Sequence, residues 1–261
     1  MCMKSLVHAA LAAIVLLSGV AASAAGADTP APAAKTPAQV AAMLGLKSGE
    51  VTPSPAPGLY EVHQGVNFGY VTTDGRFLIQ GDMMNLRTGV NVTDAQRNAY
   101  RLALLKGFSD KEFLIFAPTP PIKTKWTVTA FTDVDCPYCR KLQSEVREFN
   151  KRGIALRYAF FPRSGPHTPS FFKAESVWCS SDPHSAFVEV MHDSDIPTNT
   201  ACENPVAAEY RLGQRLGLQG TPMLILPNGT KVDGYVPPDE LVKLLATHDA
   251  QPVAGSASAT R

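Results

Sequence analysis

Two cysteines flank a proline and a tyrosine, Cys136-Pro137-Tyr138-Cys139, between a β-patterned segment at 126–132 and an amphipathic segment at 137–152. That position constrains both fold and chemistry. A helix starting at Pro137 leaves Cys136 at its N-terminus, where open backbone N–H groups and the positive dipole end favour a thiolate. Proline suits the first helical position, since its missing N–H costs nothing there. Two intervening residues put Cys139 one turn along, within reach of the first sulfur, and Arg140 adds a cation next to the pair. Cys136 is therefore expected to be the exposed attacking thiolate and Cys139 the less exposed resolving thiol. Attack on a substrate disulfide gives a mixed disulfide, which Cys139 releases by closing the Cys136–Cys139 bond. Where a substrate thiol attacks first, the net result is isomerisation.

Zinc sites use the same cysteine spacing, but zinc takes four ligands, commonly two such pairs. Here the remaining cysteines are isolated and no His-x₃₋₅-His follows, so the sequence favours redox chemistry and predicts no metal and no cofactor. His63, His167, His184, His192 and His248 show no ligand spacing and are expected on the surface or in loops. Lys+Arg is 24 and Asp+Glu 23, with no basic run. Phosphate binding needs clustered cations, so no nucleic-acid partner is expected.

Lys4 precedes an apolar run at 9–17, and small residues follow up to Ala24. This is the layout of a secretory signal peptide, expected over residues 1–24 with cleavage after Ala24 or Ala27. The run is shorter than the roughly 20 apolar residues a bilayer core needs, and no other stretch is longer, so no stable membrane insertion is expected. Cys2 leaves with the leader. Four cysteines then remain in an exported chain, which points to an oxidising compartment. Cys179 and Cys202 read as a structural staple or as a second redox pair. If bridged, they would contribute about 3 kcal/mol through loop closure.

The rest of the chain divides unequally. A helix is predicted at 38–46, an extended stretch with three prolines at 51–58, and strands at 59–63, 68–72 and 76–80. Asp74-Gly75 supplies a hairpin turn between the last two. So small a domain buries too little surface to be stable alone; it needs either a partner across a sheet edge or the larger domain to pack on. A helix is predicted at 93–108, with Thr93 and Gln96 as a capping box, and reads as a rigid linker. Beyond it, strands at 126–132 and 154–161, helices at 137–152, 170–179, 183–191 and 205–216, a hairpin over 223–226 and 231–235, and a last helix from Pro238 make an α/β pattern. The predicted class is α+β, with domain limits at 36–90, 91–110 (linker helix) and 111–249, and a disordered tail at 250–261. Met83-Met84 and Phe160-Phe161 are expected in the core. Thr221-Pro222 is expected to be trans, as most X-Pro bonds are.

Several motifs in order resemble one family. They are Tyr70-Val71-Thr72-Thr73-Asp74-Gly75, Ile79-Gln80-Gly81-Asp82-Met83, Phe131-Thr132-Asp133 before the cysteine pair, Gly220-Thr221-Pro222, Asn228-Gly229-Thr230 and Gly234-Tyr235-x-Pro237-Pro238. Together they are similar to the DsbC/DsbG family of periplasmic disulfide isomerases, over about residues 36–246. The resemblance implies a V-shaped homodimer: amino-terminal domains paired through their sheets, linker helices, and two thioredoxin-like domains, each with a helical insert, facing an apolar cleft with chaperone activity. It implies a cis Pro222 beside the cysteines, with Thr221 tuning them, and a structural Cys179–Cys202 disulfide. It also implies misoxidised exported proteins as substrates and a DsbD-type membrane reductant as partner. Pro137 stands where the DsbC branch has glycine and matches DsbG, whereas the extra cysteine pair matches DsbC. An isomerase of the DsbC kind is the reading. The alternatives are a DsbG-like reductase of sulfenylated cysteines and a holdase that only binds.

Overall fold

Alternation along short strands decides what each sheet buries. The computed structural model describes residues 33–249; the expected leader and the expected tail lie outside the described residues. Helix α1 (Pro37–Leu44) opens on a capping box, in which the Gln39 backbone N–H donates to the Thr36 hydroxyl and the Thr36 N–H to the Gln39 side chain. Gly45, at φ 66°, ends it in the left-handed conformation glycine takes without cost. Strands β1 (Val51–Pro53), β2 (Leu59–Gln64), β3 (Asn67–Thr72) and β4 (Leu78–Gln80) follow as one antiparallel sheet in sequence order. Val51, Val62 and Val71 point to one face and bury against Val40 and Ala41 of α1. Glu61 and Tyr70, paired across β2 and β3, occupy the other face.

The Asp74-Gly75 turn forms, but β4 starts at Leu78 rather than at 76. Asp74 accepts from the Thr72 hydroxyl and the Arg76 N–H, and the Thr72 N–H closes the loop onto the Phe77 carbonyl. Those bonds hold Arg76 and Phe77 in the turn. A two-stranded ribbon of β5 (Met84–Asn85) and β6 (Val90–Asn91) then precedes α2 (Val92–Leu105). The predicted cap at Thr93 is corrected: Asn91 caps α2, accepting from the Asp94 N–H at 3.0 Å. Thr93 is buried, its hydroxyl 2.5 Å from the Tyr70 hydroxyl and accepting from the Met83 N–H. It pins the helix to the sheet. Met84 is half exposed, contrary to the core placement expected for it. His63 also departs from expectation, because it lies in β2 with its ring against Phe68 and Tyr100.

The second sheet has the order β11-β10-β8-β9-β7. Strands β8 (Trp126–Thr132) and β9 (Ile154–Phe160) are parallel, whereas β7 (Leu114–Phe116), β10 (Met223–Ile225) and β11 (Lys231–Asp233) join antiparallel. Helices α3 (Pro137–Ser144) and α4 (Val146–Lys151) cross from β8 to β9, and the single helix expected at 137–152 is interrupted at Glu145. Leu142 and Phe149 are nevertheless both fully buried, as the apolar spacing required. Helices α5 (Pro169–Trp178), α6 (Pro183–Met191) and α7 (Val206–Arg215) form the insert, and α8 (Pro238–Asp249) closes the chain. Cys179, at the end of α5, is bonded to Cys202, with Cα atoms 5.6 Å apart. This ties the insert to the segment that leads into α7.

Helix α2 is fastened to the β10–β11 turn. Asn98 donates to the Thr230 hydroxyl at 3.2 Å, and the buried Arg101 donates to the Asn98 side chain at 2.8 Å. Gly229, at φ 86°, lets the two backbones meet, because a Cβ there would stand 2.3 Å from the Asn98 carbonyl oxygen.

Candidate active site

β8 ends at Thr132 and the chain turns once before α3, with the Cys136 N–H donating to the Asp133 carbonyl at 3.0 Å. Cys136 is the N-cap of α3 and Pro137 its first residue. Both sulfurs are free thiols. The exposed thiolate predicted from sequence is corrected: Cys136 is only 2% exposed, and Cys139 is at 0%. The segment carrying Thr221 and Pro222 covers the pair. The peptide between them is cis, as the family resemblance implied and against the trans expectation from general frequency. While Cys136 is protonated, its Sγ donates to the Thr221 carbonyl oxygen at 3.2 Å, a bond given up when the thiolate forms. Tyr138, between the cysteines, is 63% exposed and is the part of the motif that faces solvent.

The two sulfurs sit in opposite electrostatic situations. The Cys136 thiol is lowered to about 5, first by the hydrogen bond from Cys139 and, against the cost of burial, by Thr221, the Cys139 backbone N–H and the charge of Arg163. The Thr221 hydroxyl is buried with no other partner among the described residues, so its proton is available to the sulfur. Burial raises Cys139 most strongly, and its hydrogen bond to Cys136 raises it further. One sulfur is held as the anion and the other keeps its proton.

The cation expected beside the pair was Arg140, but its guanidinium is turned to Asp193 at 2.8 Å and to the Val134 carbonyl at 3.0 Å. Arg163 takes that place. Its backbone N–H and Nε both donate to Asp133 Oδ2, at 3.0 and 2.8 Å. Ser170 and the Asp135 N–H donate to the other oxygen, at 2.7 and 2.9 Å. Burial raises the Asp133 carboxyl, but these bonds together outweigh it and hold the group below its ordinary range. Sequence reasoning gave Asp133 no role and passed over Arg163 and Ser170. A signal existed: β8 and β9 are parallel, so Asp133 and Arg163, each just past a strand's carboxyl end, come out on the same edge of the sheet, where α/β sites form.

The alkylation rate of Cys136 by iodoacetamide is expected to reach half its plateau near pH 5 and stay flat to pH 8. At pH 7 an ordinary thiol of pKa near 9 is only about one part in a hundred thiolate, whereas Cys136 is almost wholly ionised. Nucleophilicity falls with pKa at a slope of about 0.4–0.5, so the plateau itself is no higher than that of an ordinary thiolate. The advantage lies in Cys136 as a leaving group. A rate still climbing through pH 8 would refute this account of the site.

A dithiol at a helix N-terminus, faced by a cis-proline segment on a mixed sheet flanked by helices, defines a thiol–disulfide oxidoreductase of the thioredoxin fold. Residues 121–248 match the thioredoxin-like domain family, and residues 23–94 match the disulfide bond isomerase protein N-terminal domain. The thiol:disulfide interchange protein DsbC of Dickeya dadantii is 38% identical over 209 residues, 79% of this chain and 84% of the relative. DsbC of Escherichia coli K12 is 35% identical over 215 residues, covering 80% and 86%, and that of Salmonella typhimurium 37% over 218, covering 82% and 87%. This chain belongs to the DsbC family of thiol:disulfide interchange proteins, and its activity is that of a disulfide isomerase.

Proposed function

We propose that the chain acts in the periplasm as a homodimer that rearranges incorrect disulfides in exported proteins, with Cys136 as nucleophile and Cys139 as resolving thiol. The unequal pair of sulfurs carries this reading. The Cys136 thiolate attacks a substrate disulfide, a substrate thiolate leaves, and a mixed disulfide forms. In isomerisation a second substrate thiolate then attacks that bond and frees Cys136, with no net electron transfer. Where Cys139 attacks instead, the substrate departs with two thiols, and a DsbD-type membrane reductant returns two electrons to the protein. Pro137 and Tyr138 shape the approach, and Thr221 and Pro222 form the wall against which substrate backbone lies. Quenching cells in acid and then labelling the denatured chain with an alkylating mass tag is expected to label Cys136 and Cys139 and to leave Cys179 and Cys202 unlabelled. An unlabelled pair would overturn the isomerase assignment in favour of an oxidase.

The dimer is read from β4, whose outer edge has no strand partner among the described residues. Leu78 and Ile79 are exposed on it, and Phe77 is exposed in the turn just before it. Such an edge invites pairing with another strand. In this reading residues 36–90 pair the two chains, 91–110 link and 111–249 catalyse. Ile79→Lys is expected to convert the protein to a monomer in sedimentation velocity, and an unchanged dimer would remove β4 from the interface.

A further inference from the structure

A groove of about 670 Å³ opens between α4, α6 and the segment that follows β7, away from the cysteine pair. Phe116, Ile122, Val146 and Val188 give it apolar walls, and Arg147 and Lys151 stand among its lining residues, none of which is acidic among those described. Lys151 already pairs with Glu148 at 2.6 Å, but Arg147 has no acidic partner among the described residues. Gln143 also lines the groove. It is 3% exposed, and its Oε1 is buried without a hydrogen-bond partner among the described residues. A buried acceptor left unpaired is destabilising, a cost that a donor brought in by a ligand would offset.

We propose that this groove binds an extended peptide segment carrying an acidic side chain beside an apolar one. The volume falls within the range of clefts that enclose small ligands, roughly 300–1,000 Å³. Turned toward the groove it lines, the Gln143 side-chain oxygen would accept a peptide N–H, the donor it lacks. The apolar walls take an aliphatic side chain, and the unpaired Arg147 attracts a carboxylate. Gln143 and Cys136 lie at opposite ends of α3, about 10 Å apart along the helix axis. A client segment seated in the groove would therefore hold neighbouring cysteines within reach of Cys136, a consequence that rests on the isomerase reading whereas the binding itself does not.

The test is an amide-shift titration of the full mature chain with an acetylated, amidated peptide, Ala-Leu-Asp-Val-Asp-Ala, and with a control in which both acids are lysine. Saturable shifts are expected at Gln143, Arg147 and Val188 with the acidic peptide only. Arg147→Glu, an exposed change that leaves the core intact, is expected to weaken binding about tenfold, since one attraction is exchanged for one repulsion. Absence of shifts at the groove up to about 5 mM peptide overturns the proposal, because weaker binding than that is not specific recognition. Equal binding of the lysine control, or no effect of Arg147→Glu, overturns it as well. The peptide contains no cysteine, so its failure would leave the disulfide-exchange assignment untouched.

Discussion

Cys136→Ser is expected to abolish recovery of a scrambled-disulfide substrate, lowering the rate by at least about three orders of magnitude, because the remaining sulfur, Cys139, is fully buried and keeps its proton. Cys139→Ser has a different expected outcome. Serine keeps an O–H that can donate to the Cys136 thiolate, so the largest contribution to the lowered pKa survives while the resolving sulfur is gone. Attack proceeds and release fails, and mixed disulfides at Cys136 accumulate on non-reducing gels. Cys139→Ala removes that donor too, so its Cys136 should ionise at higher pH than in the serine variant. Absence of adducts in Cys139→Ser, or identical Cys136 titrations in the two Cys139 variants, would contradict the roles given to the two sulfurs.

Gly229→Ala should be among the most destabilising turn substitutions in the chain, because Gly229 is buried against α2. The new Cβ would meet the Asn98 carbonyl oxygen at 2.3 Å, and because that atom is backbone it cannot rotate away. The backbone conformation adds a second penalty, since φ is 86°. Crowding and strain together give an expected loss of about 2–4 kcal/mol. Gly234 provides the control: its φ is also 86°, but a Cβ there meets nothing within 4 Å. Gly234→Ala is expected to cost only the conformational part, about 1 kcal/mol. Urea denaturation of both variants measures the difference, which is the price of separating α2 from the β10–β11 turn. Equal losses would mean that the close approach of Asn98 carries no weight.

The elements with strong local signals were legible in the sequence, and those that depend on distant partners were not. Gly45 marks the end of α1, while its start at Pro37 lies one residue ahead of the predicted 38, and the apolar spacing of Leu142 and Phe149 identifies the buried face of the helix region after the cysteines. β7, with three residues, is too short to show alternation, and β5 and β6 have only two each. Thr93 carried a capping pattern and serves another purpose, because the Tyr70 hydroxyl meets it from a strand 23 residues earlier. At the site, the Cys136-Cys139 pair and the order of action proposed for it were legible from helix-end physics alone. The cover over Cys136 and the Asp133–Arg163 contact do not. Both arise where segments far apart in sequence converge, Thr221 upon Cys136 and Arg163 upon Asp133.

The cover over Cys136 bears on which disulfides the protein attacks. With 2% of the residue's surface accessible, a sulfur–sulfur bond must be carried down to the thiolate along the wall formed by Thr221 and Pro222. Attack also needs the three sulfurs to approach a line, so the incoming chain must bend away from its own packed surroundings at that point. A disulfide locked in a finished core cannot do this without unfolding, while one in a loose or misassembled loop can. With Cys136 as the proposed nucleophile, such a recessed thiolate would act as a test of local foldedness, sparing bonds that are already correctly buried and admitting those whose surroundings have not yet closed.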